Sequence, residues 1–128
     1  MAGLDIIPVA PAGRQIIQSY GDGAFRISQV RHEGAVVVLQ EETLAWPVAD
    51  LASLDIVALE PVTSRADDFD ILLIGCGERF APPPKGLRQA VKDAGLVLDW
   101  MDTGAACRTF NVLQSEDRRV VAALLPVG

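Results

Sequence analysis

Two cysteines and one histidine set the limits on the covalent and metal chemistry this 128-residue sequence could carry. Cys76 stands between Gly75 and Gly77, directly after the apolar run Ile71-Leu72-Leu73-Ile74, where flanking glycines would expose a thiol at a strand end. A nucleophilic cysteine needs a base within hydrogen-bond reach, and His32 lies far upstream between Arg31 and Glu33, where it reads as a turn residue. Cys76 is therefore read as a small buried residue, and Cys107, on an apolar helix face, as core. One histidine and two distant cysteines supply too few ligands for a metal cluster, so no metal is expected, and no structural disulfide. Glu78, Asp99 and Asp102 fall near one sheet edge and could pair for acid–base work, although solvated loop acids are the commoner outcome. Trp46 and Trp100 read as core or half-buried aromatics. No catalytic residue is assigned and no cofactor is implied.

Two loops have the residues to hold a small anion. The first, 75–85, leaves the apolar run through Gly75 and Gly77, which permit close backbone approach, and carries Arg79 and Lys85. Its weakness is that a phosphate fingerprint needs a third glycine where Phe80 stands, so Gly-Cys-Gly is equally a tight exit from a sheet. The second, 102–108, opens a helix at Thr103 and Gly104, whose free N–H groups would favour a negative group reinforced by Arg108 one turn in. The competing reading makes Thr103 an ordinary helix cap, or lets Asp102 occupy the positive helix end. The candidate anion pocket is thus Gly75, Gly77, Arg79, Thr103, Gly104 and Arg108.

The elements that must position these loops follow from periodicity. Residues 1–14 are rich in Pro, Gly and Ala and read as an irregular lead-in; residues 15–128 read as one α/β domain. Gly21-Asp22-Gly23 between Ile16-Ile17 and Phe25-Arg26-Ile27 predicts a β-hairpin, and Val36–Leu39 and Thr43–Trp46 extend it into an N-terminal β-meander. Leu51, Leu54 and Leu59, with Asp50 or Ser53 as cap, predict a short helix ending before Pro61. Phe69–Ile74 reads as the central strand, buried on both faces. Pro84 in a first turn, Leu87, Val91 and Ala94 at helical spacing, and Gly95 as a stop predict a helix. Leu96–Met101, a helix from Thr103 to about Ser115, and Val120–Leu125 complete βαβαβ, whose crossovers make three parallel neighbours. The expected fold is a layered mixed α/β sheet, in which the meander extends the sheet or packs against it.

Charge and hydropathy exclude other classes. A net charge of −6 argues against a nucleic-acid binder, which needs a basic face. No apolar run approaches the roughly 20 residues that span a bilayer, and the N-terminus lacks the basic-then-apolar pattern of a secretory signal, so a cytoplasmic, non-spanning protein is expected.

The ordered blocks Ile71-Leu72-Leu73-Ile74-Gly75-Cys76-Gly77 followed by Pro82, and Met101-Asp102-Thr103-Gly104-Ala105-Ala106-Cys107-Arg108-Thr109-Phe110-Asn111-Val112-Leu113, resemble the signatures of domain-of-unknown-function family 498. That family includes a mitochondrial complex I assembly factor, and the resemblance runs from the hairpin at Gln15 onward. It implies a three-layer α/β fold, no established catalysis, and protein partners among respiratory-complex or membrane-insertion components. Without an Arg- and Ser-rich leader, the chain looks like a prokaryotic member. The reading is of a non-enzymatic interaction domain, for which a homodimer is compatible. The alternative is a small-anion or nucleotide-binding protein, an enzyme included, using loops 75–85 and 102–108.

Overall fold

Asp22 and Gly23 both take positive φ, 54° and 74°, the backbone a two-residue hairpin turn requires. They join β1 (Ile17–Gly21) to β2 (Ala24–Ile27), and β3 (Val30–Glu33) folds back antiparallel on β2. This second reversal is unmarked by glycine: Ser28 and Gln29 themselves take φ of 47° and 75°. Local hydrogen bonds hold them there, since Ser28 Oγ accepts from Ile16 N–H at 3.0 Å and Gln18 Oε1 accepts from Gln29 N–H at 2.7 Å. The computed structural model describes residues 11–128, so the expected irregular segment lies outside the described residues except at 11–14, which form a turn.

These three strands make their own sheet, and the chain then crosses into a second one. β4 (Val36–Val38), β5 (Thr43–Ala45), β6 (Ile71–Gly75), β7 (Leu98–Met101) and β8 (Val120–Leu124) form a five-stranded sheet in the order β5-β4-β8-β6-β7. β6 is parallel to both β7 and β8, whereas β4 is antiparallel to β5 and β8. The predicted α/β fold with a parallel βαβαβ half is therefore present, with two adjustments. The middle strand is β8, not β6, because β4 adds to β8's free side. His32 is a strand residue of β3 paired with Phe25, not a turn residue.

Period-two alternation divides the core between the two faces of the large sheet. Val37, Leu72, Ile74, Val121 and Ala123 point to one side, where they meet α2 (Leu87–Asp93) and the turns of residues 51–69. Val36, Val38, Leu73, Ala122 and Leu124 point to the other, where they meet α3 (Thr103–Ser115) and Phe25 and Ile27 of the small sheet. Polar side chains of α3 clasp that sheet: Asn111 Oδ1 accepts from Ile17 N–H at 2.9 Å while its Nδ2 donates to Ile17 O at 2.8 Å. Gln114, fully buried, donates through Nε2 to the carbonyls of Gln15 and Gln40.

Two helix expectations need correction. In place of a helix stopped by Pro61, the chain makes 3₁₀ turns at Leu51–Ser53 and Val57–Leu59 and then one α-turn, α1 (Glu60–Thr63), which holds Pro61 in its first turn. Proline's missing N–H fits a first turn as well as it ends a helix. Asp50 does cap the first of these turns, its Oδ1 accepting from Ser53 N–H at 3.1 Å. Pro84 lies outside α2, which begins after Gly86 in a left-handed conformation (φ 84°). Gly95 does stop α2, with φ 90° and its N–H donating to Lys92 O at 2.9 Å while Leu96 N–H donates to Val91 O at 3.2 Å.

Phe110 lies on α3's buried face and Val112 on its exposed face. Phe110→Ala is expected to lower stability by about 3–5 kcal/mol in urea unfolding, and Val112→Ala by less than about 0.5 kcal/mol. Equal effects would mean α3 is docked differently.

Candidate functional site

The predicted loops meet where β6 ends and α3 begins. Gly75 closes β6, and a Cβ there would stand 2.8 Å from both Cα and Oγ1 of Thr103, closer than real Cβ contacts allow. Glycine is thus required by the approach of the helix backbone. Gly77, at φ 113°, turns the chain so that its N–H donates to Thr103 Oγ1 at 3.0 Å and its carbonyl accepts from Thr103 N–H at 2.8 Å. The same hydroxyl donates to Leu125 O at 2.7 Å, and Leu125 N–H donates to Gly75 O at 2.9 Å. One buried threonine therefore ties the ends of β6 and β8 to the first residue of α3.

The cap of α3 is Asp102, whose Oδ1 accepts from Ala105 N–H at 2.9 Å, and Thr103 is the first helical residue; the expectation of a Thr103 cap gives way to its alternative. Asp102's carboxylate sits at the positive end of the helix. Gly104 has a separate reason to be glycine: a Cβ there would lie 2.6 Å from the hydroxyl oxygen of Tyr20, which β1 lays across the first turn of α3.

Gly75, Gly77, Thr103 and Gly104 are thus brought together, with the buried hydroxyl and the Gly77 N–H bonded to protein. Arg79 and Arg108 are exposed, and among the described residues neither forms an ion pair. Between them in character is Phe80, 64% exposed, on a loop anchored where Trp100 Nε1 donates to Ala81 O at 2.7 Å. Trp46 is fixed likewise, Nε1 donating to Ala58 O at 2.7 Å, so both tryptophans are core residues with their one donor satisfied.

Both thiols are buried and unpaired. Cys76 Sγ donates weakly to Arg79 O at 3.6 Å. Burial pushes the Cys107 thiol up to about 12 from 9.0, outweighing the opposing effect of Arg108. A thiol so disposed does not supply a thiolate near neutral pH. Glu78 and Asp99 are exposed, and no hydrogen bond joins them to Asp102 among the described residues, which leaves the acid–base pairing without a geometry. Sequence reading missed Tyr20 and the Leu125 carbonyl. The signal available for Tyr20 was Gly104 itself, which has to be facing something.

Residues 17–125, containing both signature blocks, match the family described as protein of unknown function (DUF498/DUF598). The chain belongs to the DUF498/DUF598 family. An uncharacterised protein of Rhodobacter capsulatus is 40% identical over 116 residues, covering 91% of this chain and 88% of that one. The NADH dehydrogenase 1 alpha subcomplex assembly factor 3 of Danio rerio is 30% identical over 111 residues, covering 87% of this chain but 64% of the relative. The chain therefore spans under two thirds of that assembly factor's length. A solved structure described as an outer membrane protein of Bartonella henselae superposes with a TM-score of 0.82 at 33% identity, covering 95% of this chain and 99% of that one. Among the described residues of this DUF498/DUF598 chain, no helix is long and apolar enough to cross a membrane.

Two outcomes test the junction. Thr103→Ala leaves the Gly77 N–H and Leu125 carbonyl buried without their partner and is expected to cost about 1–3 kcal/mol, whereas Thr103→Ser keeps both bonds and costs less. Equal losses in urea unfolding would show that the methyl, not the hydroxyl, matters. For Cys107, the native thiol stays protonated while the unfolded one ionises above 9.0, so stability is full below that pH and falls as pH rises toward 12. Cys107→Ala should flatten that decline, and an unchanged slope would locate the alkaline loss elsewhere.

Proposed function

We propose that this chain is a protein-binding assembly domain, working through partners on the way to a respiratory NADH dehydrogenase complex, and not an enzyme. The observation that carries this is its relation to the Danio rerio assembly factor along 87% of its own length. The junction supports it: the polar groups that could have bound a ligand bond instead to the backbone, which makes Gly75, Gly77 and Thr103 a joint between elements. Both cysteines are enclosed, and Cys107 is held in its neutral form.

The partner-facing surface is placed at the carboxyl edge of β6, where exposed Arg79, Phe80 and Arg108 combine an apolar ring with two unpaired cations. Arginine and aromatic side chains are enriched among residues that dominate binding energy. A net charge of −6 keeps nucleic acid out of the reading, and a cytoplasmic address is part of the proposal.

The test is to tag the chain in its own organism, crosslink gently and identify what co-purifies, comparing wild type with Arg108→Ala. Respiratory-complex subunits or membrane-insertion components should be recovered, and recovery should fall about tenfold in the variant if the arginine carries roughly 1.4 kcal/mol of the binding. Recovery of this chain alone would overturn the proposal. A thermal screen would then decide the small-anion alternative: a rise in Tm with phosphate compounds, lost when Arg79 and Arg108 are replaced, would support it.

A further inference from the structure

β7 is the open edge of the five-stranded sheet. Its inner side is used by β6: Leu72 N–H donates to Val97 O at 2.8 Å and Cys76 N–H to Met101 O at 2.9 Å. Because backbone groups alternate along a strand, the N–H and C=O groups of Leu98 and Trp100 face outward, where none of their backbone bonds is made among the described residues. Such an edge is a template for another strand unless it is blunted by proline, by a bulge or by an inward-pointing charge. β7 has none of these on its groove face, where Leu98 and Trp100 join the core cluster of the α2 side.

Beside this edge runs a groove of about 660 Å³, floored by Leu96, Val97 and Leu98 and walled by Arg88 and Lys92 of α2. Val97 is 63% exposed. Arg88 and Lys92 lie one helical turn apart, and among the described residues neither forms an ion pair. The acid nearest in sequence, Asp93, already accepts from Gln89 Nε2 at 2.8 Å. In a chain of net charge −6, an apolar groove walled by two unpaired cations beside an open strand edge is a specific combination.

We propose that β7 accepts an extended segment of a partner protein as a sixth strand, with acidic side chains on the α2 face and apolar ones on the opposite face. The charge of the wall sets the first requirement, since acids projecting over the groove meet Arg88 and Lys92. Exposed Asp99, on the other face, favours apolar over acidic neighbours there. A second copy of this chain is a poorer occupant. Antiparallel β7–β7 pairing keeps the same sheet faces on one side across the dyad, so each copy would add further Arg88 and Lys92 cations, and not the acids the groove calls for, to the α2 face. The proposal rests on the protein-binding reading but uses a different surface from Arg79 and Arg108, so the two can fail separately.

The probe is a fluorescein-labelled, capped peptide of alternating Val and Glu, titrated into the full chain and read by anisotropy, with amide hydrogen exchange as a second readout. The peptide is expected to bind, to protect the Leu98 and Trp100 amides, and to lose affinity when N-methylated on the residues that would face β7. The charge-reversing pair Arg88→Glu and Lys92→Glu should weaken binding about tenfold and transfer the preference to a Val-Lys peptide. These exposed side chains lie outside the core, so the variant is expected to keep the wild-type Tm, and an Arg108→Ala chain should bind the peptide normally. Absence of binding at millimolar peptide, indifference to N-methylation, or equal affinity for the Val-Glu and Val-Lys peptides in the wild type would each overturn the proposal.

Discussion

The approach of α3 to the end of β6 governs the rest of the architecture. Thr103 Cα would lie 2.8 Å from any Cβ at Gly75, so the helix can reach the sheet only because that position has no side chain. The gain from such proximity is that a single hydroxyl reaches two elements, accepting a hydrogen bond from Gly77 N–H and donating one to Leu125 O. A buried hydroxyl bonded in both roles stabilises modestly but is costly to leave half-satisfied, so the arrangement fixes the position of its partners more than it adds net stability. Gly77 is turned, loop 78–85 is sent to the surface, and the end of β8 is locked beside β6.

The same economy recurs farther along α3. Asn111 and Gln114 spend their amides on backbone groups at the entry to β1 and the exit from β4, which joins the small sheet to the large one without a shared ladder. Gln114 Oε1 finds no donor among the described residues, although both Nε2 bonds are made. One amide serves two carbonyls, at Gln15 and Gln40, the latter also accepting from Gln15 N–H at 2.8 Å, and its oxygen is left as the remainder. The meander is therefore held by side-chain bonds and by Phe25 and Ile27 packing against Phe110, with Tyr20 set over the first turn of the helix.

Elements whose cause is local were legible in the sequence. Asp22-Gly23 encodes its turn, Gly95 its helix stop, and continuous apolar runs the strands β6 and β8, because each needs only neighbours in the chain. The Ser28-Gln29 reversal was not readable, since its left-handed residues are stabilised by Gln18 and Ile16 across the hairpin. Nor was the place of β8 at the middle of the sheet, which depends on pairing with β4 far upstream. Prolines were misread because the residue fits the start of a helix as readily as it ends one. In the candidate site the glycines were visible but their purpose was not. Gly75 and Gly104 look like room for a phosphate, yet their space is filled by Thr103 and Tyr20, one of them contributed by a strand that no motif links to the loop.

That substitution of protein for ligand bears on where function can reside. The interior polar groups of the junction are bonded to one another, and the thiols are enclosed, so the groups still capable of new interactions are on the outside. Arg79 follows β6, Arg108 stands on α3, and Arg88 and Lys92 of α2 line the groove beside β7, all of them without ion pairs among the described residues. Some surface arginines are matched locally, as Arg119 is by Asp70 at 2.7 Å and Arg14 by Asp117 at 2.7 Å, whereas Arg26 and Arg118 also form no ion pair among the described residues. In a chain with 17 acids against 11 basic residues, cations left without an ion pair forgo attractive interactions that were available. The groove beside β7, where Arg88 and Lys92 stand one helical turn apart, is therefore a place where an acidic protein partner gains from charges that the fold itself leaves unpaired.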